Sequence, residues 1–207
     1  MKIINAGFKI ENEEVFEKML ERIEVVGRTC YKSEDKMTSE SAPEFVQMII
    51  NRGHEAMLEH GGTISVRFIV DRGVSHELVR HRIASFAQES TRYCNYSKGK
   101  FDGSLTFIRP CFWEDNAPQM LLWESQMRLS EQAYLQLIED GSQPQEARSV
   151  LPNSLKTEIV VTANPREWRA FFKLRVAEAA HPQMREVTRP LLDKFKAMVP
   201  VLFDDIA

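Results

Sequence analysis

Arg80, His81 and Arg82, followed by Gln88, Glu89, Ser90 and Arg92, gather cations, an imidazole, an amide, a carboxylate and a hydroxyl into one short window. Guanidinium groups hold phosphate or carboxylate oxygens in paired hydrogen bonds, and hydroxyl and amide donors complete such a shell. The window therefore reads as an anion site. Val74, Leu78, Ile83 and Phe86 recur at helical spacing, which predicts a helix that holds these cations against a packed body. Basic residues in a last helical turn also serve its free carbonyls with no ligand involved. At about 100° per residue, however, Arg80, His81 and Arg82 fan over more than half of a helix circumference, and one capping role cannot use all three. They are placed to serve several ligand groups or neighbouring subunits.

Other chemistries fit less well. Ser90 near His81 lacks the glycine elbow and acidic orienter of a hydrolase triad. His76 and His81 are five apart and His54 and His60 six apart, whereas a helical zinc pair needs four, so no metal is expected. Neither a Gly-x-Gly-x-x-Gly turn nor a Walker loop occurs, so a dinucleotide would be bound without those folds. The rival from another class is a nucleotide- or RNA-binding module using the same basic helix, with Tyr93, Tyr96 and Phe101 stacking bases.

The elements that must position this window follow from periodicity. A short strand opens the chain, and Val15, Phe16, Met19, Leu20, Ile23 and Val26 mark a helix that Gly27 could end. Ser41 and Glu44 have capping-box spacing around Pro43, predicting a second helix through Ile49 to Gly53, with His54 opening a loop. Ile64, Val66, Phe68 and Val70 alternate as a half-buried strand. A strand near Leu105 to Ile108 precedes a long helix with Leu121, Leu122, Leu129, Leu135 and Ile138 expected inside. Leu155 to Val161 alternate as another strand, and Asn164-Pro165-x-Glu167 has the cap, proline and acid of a helix start, with Arg175 about three turns along. His181-Pro182 breaks that helix, and a last one is expected to bend at Pro190.

At 207 residues and 43% hydrophobic, the chain suits a single domain over 1–207, and the strands and helices read along it are of mixed α/β (α+β) class, without the glycine turn of a Rossmann fold. A net charge of -3 gives no global attraction for polyanions, so no nucleic acid is expected on composition. No apolar run approaches the roughly 20 residues of a membrane span, and no membrane association is expected. Cys30, Cys94 and Cys111 have neither disulfide nor metal spacing, which suits a reducing, cytoplasmic setting and structural thiols.

Arg80-His81-Arg82-x-x-Ser85 followed by Ser90-x-Arg92-Tyr93 resembles the signature of the flavin-dependent thymidylate synthases. The resemblance extends upstream to Gly53-His54-Glu55 and Glu59-His60, and downstream to Ala147-Arg148-x-Val150-Leu151-Pro152, Asn164, Arg166 and Arg175. It implies reductive methylation of dUMP to dTMP, with FAD as cofactor, NADPH as reductant and methylenetetrahydrofolate as carbon donor. It implies that His54, Arg80, His81, Arg82, Gln88, Asn164 and Arg166 face FAD. Glu77, Arg80, Gln88, Glu89, Ser90, Arg92, Arg148 and Arg175 would face dUMP. Arg175 and Ser90 would be the catalytic pair, with Arg175 activating the uracil and Ser90 forming no covalent bond. It also implies the family's own fold, a small mixed sheet flanked by helices and not a Rossmann fold, and a homotetramer with shared active sites. Glu77, Ala87, Glu89 and Ala170 depart from the family's pattern, and the stretch from Ala177 to Gln183 is longer. A catalytically degenerate relative is the alternative that Glu77 and Ala87 favour.

Overall fold

The computed structural model describes residues 1–207 and divides into two compact units, one of residues Met1–Gly7, Phe68–Arg80 and Ala87–Ile159, the other of Phe8–Arg67, His81–Phe86 and Val160–Ala207. In chain order the strands are β1 Lys2–Ile4, β2 Gly7–Ile10, β3 Ile64–Asp71, β4 Ala84–Gln88, β5 Thr106–Ile108 and β6 Lys156–Ala163. The helices are α1 Met19–Tyr31, α2 Ala42–Asn51, α3 Arg72–Leu78, α4 Pro118–Glu139, α5 Pro144–Ala147, α6 Pro165–Arg175, α7 Pro182–Met198 and α8 Pro200–Phe203. One sheet has the order β2-β3-β6-β4, and a second pairs β1 with β5 in parallel, Ile3 opposite Phe107. Two small sheets among many helices make the mixed α/β class expected, without the doubly wound sheet of a Rossmann fold.

In the first unit, α4 covers the β1 and β5 pair. Its buried residues Met120, Trp123, Met127, Ser130 and Tyr134 follow a three-four spacing, and all but Ser130 join Tyr96, Leu105, Phe107, Ala147 and Leu155 in one core. Of the side chains expected inside, Leu135 and Ile138 pack half-buried against this core, but Leu121 is 54% exposed, Leu122 73% and Leu129 55%. The larger Trp123 and Tyr134 outcompete them for the interior, since an indole or phenol buries more area and each finds a partner. Trp123 Nε1 donates to Ser154 Oγ at 3.0 Å.

The second unit is built around aromatic side chains. Within α6, Phe171 packs edge-on against Trp168 and Phe172; Phe172 packs edge-on against Phe195 of α7, and Phe203 of α8 closes the cluster edge-on against Phe195. Trp168 Nε1 donates to the carbonyl of Ile64 at 3.1 Å, so the buried indole stays satisfied. Arg169 is also buried. Its guanidinium forks onto both Asp205 oxygens at 2.7 Å, tying α6 to the residues after α8.

Several expectations change here. Gly27 does not end α1, which runs on to Tyr31 and is closed by Lys32 at φ 47°. A Cβ on Gly27 would lie 2.6 Å from Phe45 Cε1, so the glycine allows α1 and α2 to approach. Ser41 flanks α2 without capping it: its Oγ accepts from Thr38 N at 2.9 Å and donates to buried Glu24 at 2.7 Å. His54 precedes a 3-10 segment, Glu55–Gly61, where a loop was expected. Of the three thiols read as structural, Cys30 and Cys111 are exposed and Cys94 is partly covered. Asn164 does cap α6 as the sequence indicated, accepting from Glu167 N at 2.9 Å, and Pro190 lies inside α7.

The largest change concerns the signature, which is not helical. α3 starts at the Asp71 cap and ends at Leu78, Arg80 to Ile83 form an irregular connection, and Ala84 to Gln88 form β4. Ala84, Phe86 and Gln88 are the more covered residues and Ser85 and Ala87 the exposed ones, a period of two that prevails over the helical spacing of Val74, Leu78 and Ile83. Arg80, His81 and Arg82 therefore do not fan around a helix; Arg80 and Arg82 are exposed and His81 is the covered one.

Replacing Gly27 by alanine should destabilise the protein. The overpacking cost of about 1–3 kcal/mol outweighs the gain in helix propensity of about 1 kcal/mol, and urea denaturation would register the lowered midpoint.

Candidate active site

In the second unit the polar residues expected to face ligands collect around the start and end of α6. The Asn164 cap turns the chain from β6 straight into the helix and leaves the first turn with Arg166 and Glu167. Together with Lys173, Glu55, Glu59, Ile83 and Ala170 these residues line a cavity of about 380 Å³. Arg166 Nη1 donates to Glu59 Oε1 at 2.6 Å, an exposed pair that holds little energy but directs the guanidinium. Arg82 is exposed on the connection before β4.

His81 sits on that same connection and is nearly enclosed, its side chain 10% exposed. Arg175, at the end of α6, donates from Nε to His81 Nε2 at 3.1 Å, and His81 Nδ1 lies 3.3 Å from Glu167 Oε1. A guanidinium can only donate, so Nε2 accepts and the proton is on Nδ1, directed at the carboxylate. Burial, then the neighbouring Arg175 charge, hold the imidazole below its ordinary 6.5, against the opposing pull of Glu167. The ring is therefore neutral at pH 7, and Phe171 packs edge-on against it at 4.9 Å.

His54, expected beside a flavin, is exposed, and its Nδ1 is 2.6 Å from the Tyr31 hydroxyl with the rings nearly parallel. Tyr31 carries no signal in the sequence beyond its type, and only the fold brings it to His54.

The first unit holds the other set. Gln88 Nε2 donates to Ser75 Oγ at 2.9 Å and Thr157 Oγ1 at 3.2 Å, so its amide is fixed by α3 and β6. Glu89 accepts from the Tyr96 hydroxyl at 2.9 Å and from Lys156 at 2.9 Å, while its backbone N–H donates to the Glu158 carbonyl at 2.8 Å. Lys156 also donates to Glu158 Oε1 at 2.7 Å. Burial would lower the Lys156 ammonium, but the hydrogen bonds to Glu158 and Glu89 overcome it and raise it. Burial and the Glu89 charge push the Tyr96 phenol well up, so it remains a donor.

Ser90, Thr91 and Arg92 follow in a tight turn. Ser90 Oγ accepts from Arg92 N at 3.3 Å, and the Ser90 carbonyl accepts from Cys94 N at 2.9 Å. Arg148 Nη1 reaches Thr91 Oγ1 at 3.4 Å, so Arg148 is drawn to the Ser90 turn, while Arg92 is exposed with its guanidinium over the Tyr93 ring. Glu77 is half-buried on α3 and Arg80 is exposed just beyond it. Two further residues belong to this picture that sequence reasoning did not single out: Lys156, hidden by its place in an alternating strand, and Glu167, read only as the acid of a helix start.

This fold and these clusters mark a class of α/β proteins, and the comparisons define it. Residues 14–201 match the family model described as thymidylate synthase complementing protein. A flavin-dependent thymidylate synthase of Geobacter sulfurreducens is 34% identical over 190 residues, covering 88% of this chain and 80% of that protein. One of Corynebacterium aurimucosum is 36% identical over 196 residues, covering 88% and 78%. The crystal structure of thymidylate synthase X from Helicobacter pylori with FAD and dUMP superimposes with a TM-score of 0.73 at 22% identity, over 90% of this chain and 93% of that one. The chain belongs to the flavin-dependent thymidylate synthase family.

Two measurements probe these clusters. Lys156→Met leaves Glu89 and Glu158 together without their cation, and should cost about 1–3 kcal/mol at pH 7, with a smaller deficit in acid where carboxylates protonate. For His81 the unfolded chain binds more protons than the folded one below the ordinary 6.5. Folding stability therefore falls as pH drops through 6.5 toward the lowered value. His81→Asn should remove that part of the slope in thermal denaturation between about pH 7.5 and 5.5.

Proposed function

We propose that the protein makes dTMP from dUMP by reductive methylation, with FAD as cofactor, and that residues 1–207 act as one functional domain. The observation that carries this reading is the neutral His81 held against Arg175 beside a cavity lined by Arg166, Lys173 and Asn164. The family match supports it by spanning segments of both units.

Arg166, Lys173 and Asn164 give that cavity the cationic and amide donors a pyrophosphate takes. They would hold FAD there, with His54, Arg80, His81, Arg82 and Gln88 as its further contacts. When bound and reduced by NADPH, the flavin supplies the hydride for the final reduction, and methylenetetrahydrofolate supplies the carbon. For dUMP, Arg92, Arg148 and the Ser90 hydroxyl suit a dianionic phosphate, and Ser90 orients without forming a bond. Glu77 and Arg80 are its remaining polar neighbours in this assignment.

No cysteine is assigned to the uracil ring. Cys94 is the thiol nearest the signature, and burial, then the Glu89 charge, push it up, the reverse of an activated nucleophile. The ring must instead be polarised through its carbonyls, and a guanidinium facing O2 and N3 stabilises the negative charge that develops there. Arg175 takes that role. We assign Glu89 a part in the dUMP site through the Ser90 turn that follows it, since its own oxygens are engaged by Tyr96 and Lys156. The assembly we propose is a homotetramer in the cytoplasm. No helix is long and apolar enough to cross a membrane, and three free cysteines suit a reducing compartment.

Purified protein titrated with FAD should show bands at about 375 and 450 nm that bleach with NADPH in the absence of oxygen. With dUMP and methylenetetrahydrofolate it should release dTMP, and light scattering should give four times the chain mass. Arg175→Ala should lower dTMP formation by about 100- to 1000-fold with FAD still bound. Absence of flavin under every condition, with salt-sensitive RNA binding in its place, would overturn the proposal.

A further inference from the structure

The Arg175 guanidinium is joined through the His81 ring to an acid. Glu167 lies at the third position of α6, where a carboxylate often turns back to the cap residue's N–H. Here its Oε1 is 3.3 Å from His81 Nδ1, and its side chain is only 15% exposed. Eight residues further along the same helix, Arg175 Nε donates to the opposite nitrogen of that ring at 3.1 Å.

We propose that Glu167 is a positioning residue for Arg175, acting through the His81 ring. The inference rests on the reading of Arg175 as the uracil-activating residue.

The argument is one of hydrogen-bond polarity. A neutral imidazole has one donor and one acceptor nitrogen, and which is which depends on the partners. The Glu167 carboxylate only accepts, so it favours the proton on Nδ1. That leaves a lone pair on Nε2, the only form that can receive the Arg175 N–H. With the proton on Nε2, two donors would face each other across 3.1 Å and Arg175 would turn away. Phe171 against the ring blocks a simple tilt as an escape. One helix thus supplies both the acid that sets the ring and the cation the ring sets. Their separation along α6 is fixed by the helix, so the ring spans a preset gap.

Nitrogen-detected NMR of the ligand-free protein, with His81→Asn to assign the signals, tests the first link without any cofactor. The His81 ring should carry its proton on Nδ1 in the wild type and lose that preference in Glu167→Ala. A wild-type ring protonated on Nε2 would overturn the inference outright. The second link is read by steady-state kinetics with dUMP varied. Glu167→Ala should lower kcat by about 10- to 100-fold, with KM for dUMP moving by less than about threefold, because the phosphate contacts are elsewhere. Glu167→Gln, whose carboxamide oxygen still accepts from Nδ1–H, should recover most of the loss. Unchanged kcat in Glu167→Ala, or equal losses in the two variants, would overturn the proposal. If the wild type binds no flavin and makes no dTMP, the proposed function fails, and the NMR result alone decides the link between Glu167 and His81.

Discussion

Everything the candidate site does depends on one corner, where β6 gives way to α6 without a loop. Asn164 is the last extended residue, and its side chain accepts from Glu167 N, so the first turn of the helix is fixed directly to the end of a buried strand. Trp168 then reaches back to the Ile64 carbonyl with its indole nitrogen, which sets the rotation of α6 about its own axis. With rotation and starting point both determined, the directions of Arg166, Glu167, Arg169 and Arg175 are determined as well. Arg169 faces inward to Asp205, while Glu167 and Arg175 flank His81.

The first unit applies the same principle with a different device. The Ser90 turn bears few contacts of its own, and it is steadied from the preceding residue. Glu89 is held by a phenol, an ammonium and a backbone carbonyl, so the turn leaves β4 in one direction. The Glu89 anchor depends on Lys156, since a carboxylate without its cation would be a costly passenger in a site so little exposed.

Much of this was legible in the sequence, and the failures share a cause. The β6 to α6 corner was readable because cap, proline and acid are local signals, and β3 and β6 because strict alternation has few competing readings. The order of charged motifs was enough to indicate the family. The signature itself was misread as helix because Val74, Leu78 and Ile83 fall at helical spacing, whereas docking of Ala84 to Gln88 onto a sheet is a non-local event. The buried face of α4 was misread because leucine and tryptophan compete on shape, which no periodicity reports. Glu167, Lys156 and Tyr31 were silent because their roles lie in partners up to 86 residues away.

The strand order leaves β4 at one end of its sheet, joined only to β6. One side of its main chain is thus occupied within the sheet, and the peptide groups of the other side point away from it. Those groups are the same whichever amino acid the gene encodes, proline excepted. An inhibitor that adds itself along this margin as a short extended strand would grip atoms that point mutation does not alter, and resistance would have to arise by reshaping the strand rather than by exchanging a side chain.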